Sequence, residues 1–142
     1  MEKDNTIELV ELMFKVFRSM KEKMSYTDKL THLSVLQIHT LIFLKHNKKN
    51  SMSDIANYFH IELPSATSLV NKLCDQKLVK RYEDEKDRRL VMIALTEGGE
   101  ALLKQVMCER KKKIKKILSY LSIKERKDLS TILVTLNNKL QK

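Results

Sequence analysis

Apolar residues recur at helical spacing along the first thirty positions. Ile7, Val10, Phe14, Phe17 and Met24 share one face, with Leu9, Met13, Val16 and Met20 beside it. So wide a band exceeds what one face of a lone surface helix needs and predicts burial on two sides, for example against a second subunit. "THLSVLQIHTLIFLKHN" predicts a second helix, with Thr31 as its cap and Leu33, Leu36, Leu41 and Leu44 among its apolar residues. "NSMSDIANYF" predicts a short third helix that starts at Ser51 and Asp54 and turns Ile55, Ala56 and Phe59 toward a core. After the connection "HIEL", the segment "PSATSLVNKLCDQ" opens with Pro64, which a first helical turn tolerates because no N–H is needed there. Two short helices joined so tightly form a helix-turn-helix candidate.

The period then changes. "LVKRYE" (78–83) and "LVMIAL" (90–95) are short and rich in branched or aromatic residues, and they read as the strands of a hairpin with "DEKDRR" at its tip. Thr96 is placed to cap a long helix running through Leu102, Leu103, Val106 and Met107 to Ile114, Ile117, Leu118 and Leu121. "SIKE" (122–125) matches a capping box, and Leu129, Ile132, Leu133, Leu136 and Leu140 stripe the last helix. The fold expected is mainly α with a small β-hairpin, a winged helix-turn-helix with additional helices on either side. No internal repeat or flexible linker interrupts it.

Composition fits that outline. A chain of 142 residues, 42% apolar and 32% charged, has the size and balance of one helix-rich globular domain, and two glycines and one proline leave few helix breaks. No apolar run approaches the roughly 18 residues a membrane span requires, and "MEKDNTIELV" does not read as a signal peptide. Cys74 and Cys108 are too few and too far apart for a disulfide framework, so the expected location is cytoplasmic, with no membrane partner. The net charge of +10 suits an anionic partner, first of all nucleic acid. It is unevenly spread: residues 1–30 carry six bases and six acids, residues 31–99 ten and eight, and residues 100–142 twelve and four. The run "ERKKKIKK" (109–116) within the last third reads as a solvated helix face.

A hairpin directly after a helix-turn-helix is the layout of a winged helix, whose second helix enters the major groove while the hairpin tip meets a phosphate or the adjacent minor groove. On the second helix, Ala66, Leu69, Val70 and Leu73 fall on the inward face. Ser65, Thr67, Ser68, Asn71 and Lys72 face outward as candidate DNA contacts. In the wing the candidates are Lys86, Asp87, Arg88 and Arg89. A carboxylate cannot favour DNA by itself, but it can hold a guanidinium in one orientation. Asp87 is therefore expected to brace Arg89 while Arg88 or Lys86 reaches the duplex.

"DEKDRRLVMIALTEGG" resembles the signature of the MarR family of bacterial transcription regulators, an Asp-x-Arg followed by Leu-Thr and then Gly, here Asp87, Arg89, Leu95, Thr96 and Gly99. "MSDIANYFHIELPSATSLVNKLCDQKLVKR" is similar to the family's helix-turn-helix, and chain length and helix order agree. Three positions depart from the family pattern: Lys77 stands where a glycine often precedes the wing, Lys86 and Ser68 where arginines are usual. The resemblance implies a homodimer whose N-terminal helix (1–30) and C-terminal helices (100–142) mediate dimerisation around a DNA-binding winged helix-turn-helix (31–99). Two recognition helices would then face a pseudo-palindromic double-stranded DNA site, usually to repress. It also implies release by a small aromatic or other organic effector bound between the dimerisation and DNA-binding parts, or by cysteine oxidation.

Other chemistry finds little support. Cys74 follows the inward Leu73 and Cys108 adjoins Met107, so both read as packing residues. His32, His39 and His46 recur every seven residues on the second helix; two turns separate neighbours by about 10 Å, too far to share one metal ion. No cofactor is expected. With no nucleophile elbow, phosphate-cradling glycine loop or HExxH, the chain does not read as an enzyme. The rival readings are a winged-helix adaptor whose basic helix docks an acidic protein, and a nonspecific DNA-compacting protein.

Overall fold

The computed structural model describes residues 5–24 and 32–142. In chain order the elements are α1 (Thr6–Lys23), α2 (Val35–His46), β1 (Asn50–Ser51), α3 (Met52–Phe59), α4 (Leu63–Asp75), β2 (Val79–Glu83), β3 (Val91–Leu95), α5 (Glu97–Leu118) and α6 (Ile123–Leu140). The expected helix order and hairpin are present, and the hairpin gains a third strand. β1 pairs antiparallel with β3, giving the sheet order β1-β3-β2. Two polar residues carry no alternating pattern, so β1 left no signal in the sequence. Residues 1–25 with 108–142 form one compact unit, and residues 26–107 form another.

Three helix starts have the reciprocal bonding that satisfies otherwise unpaired N–H groups. Ser51 accepts from the Asp54 N–H while Asp54 accepts from the Ser51 N–H, and Ser122 and Glu125 do the same at α6. At α2 the pair is Ser34 and Gln37. Thr31, the expected cap, lies outside the described residues, and the helix begins at Val35 instead. Hence His32 and Leu33 precede α2, and of the three spaced histidines only His39 and His46 share that helix. Leu33 is nonetheless buried, as are Leu41 and Leu44, whereas Leu36 is exposed.

The core of the 26–107 unit joins Ile38, Leu41 and Leu44 of α2, Ile55 and Ala56 of α3 and Ala66, Val70 and Leu73 of α4. Ile93 of β3 and Leu103 and Val106 from the first half of α5 complete it. Ala66, Leu69, Val70 and Leu73 all point inward as their spacing requires. In the other unit neither α1 nor α6 buries any residue. Ile7, Phe14 and Phe17 are exposed on α1, and Ile132, Leu133 and Leu136 on α6.

The end of α4 meets the start of α5 at a closely packed junction. The Leu78 N–H donates to the Leu73 carbonyl at 3.0 Å and the Lys77 N–H to the Cys74 carbonyl at 2.8 Å, closing α4 in a Schellman motif with Leu78 and Leu73 both buried. Lys77 takes the left-handed position of that motif, φ 58°. The Thr96 hydroxyl donates to the Lys77 carbonyl at 2.6 Å and accepts the Gly99 N–H at 3.0 Å, while the Thr96 N–H donates to the Leu78 carbonyl at 3.1 Å. Thr96 thus caps α5 and ties it to the entry of β2. A Cβ at Gly99 would lie 2.0 Å from the Leu78 carbonyl oxygen, so only glycine lets α5 approach so near.

Two substitutions test this junction by thermal denaturation. Gly99→Ala should destabilise by about 2–4 kcal/mol, because backbone must move to admit the methyl group. Lys77→Gly should stabilise by about 0.5–1 kcal/mol: relief of the left-handed penalty of about 1–2 kcal/mol exceeds glycine's extra entropy in the unfolded chain.

Candidate nucleic-acid interface

α3 and α4 are joined by His60, Ile61 and Glu62. His60 adopts φ 51° at the end of α3, and the Ile61 N–H returns to the Ala56 carbonyl at 3.0 Å. This reversal needs no glycine, and α4 then starts at Leu63, one residue before Pro64. Along α4, Ser65, Ser68, Asn71 and Lys72 are exposed, whereas Thr67 is half-buried. The Thr67 hydroxyl donates to the Leu63 carbonyl at 3.0 Å, so its proton is engaged within the helix and its oxygen can only accept from a ligand. The outward set is otherwise where helical spacing put it.

The wing loop, residues 84–90, is ordered by its own polar groups. The Leu90 N–H bonds the Asp87 carbonyl and the Asp84 N–H bonds the Leu90 carbonyl, both at 3.0 Å. Asp87 holds Arg89 through three contacts: Oδ1 accepts from Arg89 Nε at 3.0 Å and from its backbone N–H at 3.1 Å, and Oδ2 accepts from Nη2 at 3.1 Å. This is the expected brace, and its fork geometry fixes the plane of the guanidinium. The Arg89 side chain is still 90% exposed, so the pair contributes little to folding and leaves the cation available to a ligand. Lys86 and Arg88 are exposed beside it. Asp84 is engaged elsewhere: its carboxylate meets Lys49 Nζ at 3.4 Å and is largely covered, linking the wing base to the residue before β1.

Arg81, on β2, was not among the sequence candidates. Its Nη2 donates to Asn71 Oδ1, joining β2 to α4. A hydrophobic pattern could not have found it, because an exposed arginine on an edge strand is compatible with simple solvation. On α5, Lys111, Lys112, Lys115 and Lys116 are exposed and Lys112 pairs with Glu109 at 2.9 Å, in keeping with a solvated helix face. Cys74 is half-buried against the core, but Cys108 is exposed, which corrects its reading as a packing residue: its helical position turns it away from Val106 and Met107. No helix among the described residues is long and apolar enough to cross a membrane.

Comparison with known proteins finds similar sequences and similar folds. A family profile described as the MarR family matches residues 32–90. The HTH-type transcriptional repressor MdtR of Bacillus subtilis is 24% identical over 110 residues, 78% of this chain and 71% of MdtR. The structure of a MarR family protein from Bacillus stearothermophilus superposes with a TM-score of 0.84 at 22% identity, covering 100% of this chain and 99% of that one. S. aureus MepR bound to ethidium bromide superposes with a TM-score of 0.68 at 25% identity, covering 92% of this chain and 95% of that one.

The Arg89 contacts lower the Asp87 pKa, the side-chain bond most and the backbone N–H next, while slight desolvation opposes them. The Arg89 pKa rises in return through the same side-chain bond. The sign follows from the depressed carboxyl: the brace is complete above the ordinary aspartate range and is lost as pH falls through the lowered Asp87 value. An NMR titration should show the Arg89 Nε–H signal constant across neutral pH and shifting only below that range. Asp87→Asn should abolish the shift.

Proposed function

We propose that the chain is a transcription regulator of the MarR family that binds pseudo-palindromic double-stranded DNA as a homodimer and represses transcription. The observation that carries the reading is the convergence, in one compact unit, of the exposed polar face of α4 with a wing whose Arg89 is held by Asp87 yet projects into solvent. Ser65, Ser68, Asn71 and Lys72 supply the groove-facing side chains, with Thr67 as an acceptor. Lys86, Arg88 and Arg89 supply the wing cations, and Asp87 positions rather than contacts. No arginine lies on the exposed face of α4 to fork onto guanine, so DNA shape carries a large share of specificity.

Dimerisation is supported by the apolar side chains of α1 and α6 that a single chain leaves uncovered. The proposed division is residues 1–30 and 100–142 for dimerisation and residues 31–99 for DNA. In such a dimer the two recognition helices lie about one duplex turn, roughly 34 Å, apart. Release by a small aromatic or other organic effector is supported by the match to the MarR family profile and by the likeness to S. aureus MepR, solved with ethidium bromide. The non-enzymatic reading rests on the regulatory names of the relatives.

Selection from a random duplex pool should enrich a two-fold symmetric sequence whose preference survives physiological salt. Arg88→Ala with Arg89→Ala should weaken binding at least tenfold and flatten the salt dependence by about two counterions per subunit. An adaptor would enrich nothing, and a compacting protein would bind every duplex alike.

A further inference from the structure

We propose that Arg81 is a positioning residue that fixes the Asn71 side-chain amide as a hydrogen-bond donor toward DNA, so that the base it meets is guanine rather than adenine. The inference rests on the DNA-binding reading above and deepens it. A guanidinium has five donors and no acceptor, so an asparagine can meet it only through oxygen. The Arg81 Nη2 to Asn71 Oδ1 bond therefore assigns the amide orientation chemically, with no ambiguity between its O and N ends. Asn71 is exposed on α4 and its oxygen is turned to β2; what remains for a ligand is chiefly the NH2 group.

That orientation bears on the asparagine contact to adenine, which uses both ends of the amide: the oxygen accepts from N6 and the nitrogen donates to N7. With the oxygen already bonded to a cation, the first half of that contact is weakened. The guanine edge offers N7 and O6, both acceptors, and suits a group that only donates. The neighbouring Lys72 also only donates, so the two side chains act in the same sense. Arg81 belongs to the wing strand and Asn71 to the recognition helix, ten residues apart. The bond thus makes base readout depend on how the wing is seated.

The test repeats the duplex selection with the full chain and with Asn71→Ala, Arg81→Met and Arg81→Lys, and records melting, base preference at each position and the salt slope. The position read by Asn71 is the one whose preference vanishes in Asn71→Ala. There the unaltered protein should favour guanine over adenine by about tenfold or more. Arg81→Met should bring that ratio to parity or reverse it, leaving other positions unchanged, and Arg81→Lys should restore part of it.

The inference is overturned by an adenine preference at that position, by a profile identical in Arg81→Met, or by no position responding to Asn71→Ala. It is also overturned if Arg81→Met lowers the salt slope by about one counterion per subunit with its profile intact, which would make Arg81 a phosphate contact. Loss of a cooperative melt in both Arg81 variants would make it a structural residue and equally end the proposal. Failure of the unaltered protein to enrich any sequence removes the DNA-binding reading and this inference with it. A clear consensus with unresponsive Arg81 variants removes this inference alone.

Discussion

The seat of the wing depends on one hydroxyl. Thr96 Oγ1 stands between the Lys77 carbonyl, in the left-handed turn just past α4, and the Gly99 N–H, in the first turn of α5. Its own N–H holds the Leu78 carbonyl. One residue therefore satisfies groups at the end of a helix, the start of a strand and the start of another helix. The Gly99 backbone lies against Leu78 so closely that no side chain fits between them. A hinge at this point would let α4 and the hairpin move separately, and a surface made of both would lose its shape. The second link, Arg81 to Asn71, works farther out and depends on the first for its alignment.

The two compact units differ in how they satisfy apolar side chains. The unit of residues 26–107 closes its own core, with Ile55, Ala66, Val70 and Leu73 fully or almost fully removed from water. The unit of residues 1–25 and 108–142 does not: α1 and α6 bury nothing, and Ile7 is 77% exposed. Apolar surface on that scale is costly to leave in water at roughly 25 cal/mol per Å². It supplies the driving force that the proposed dimer requires.

Much of this was legible in the sequence, for identifiable reasons. The inward face of α4 follows from helical spacing, the starts of α3 and α6 from Ser-Met-Ser-Asp and Ser-Ile-Lys-Glu, and the wing from the change of period after Leu78. The Asp87 brace followed from the need of an acid at a cationic tip for a purpose other than binding an anion. The remainder is partly tertiary and partly local. β1 exists because β3 is there to pair with it, whereas Ser34 takes the place expected of Thr31 through a local capping box with Gln37. Cys108 has apolar neighbours in sequence, but helical rotation sends it outward. Arg81 acquires its role only when folding brings β2 beside α4, and no local pattern records such a meeting.

β1 and α3 share a residue boundary with nothing between them: Ser51 pairs with Met92 in the sheet and, in the same conformation, caps the helix. An inserted or deleted residue here could not be absorbed by a loop. It would turn α3 by about 100° about its axis and send Ile55 and Ala56 out of the core. Length variation among this protein's descendants should accordingly gather in the wing loop and spare the segment from Asn50 to Leu63, which can change its letters but not its count.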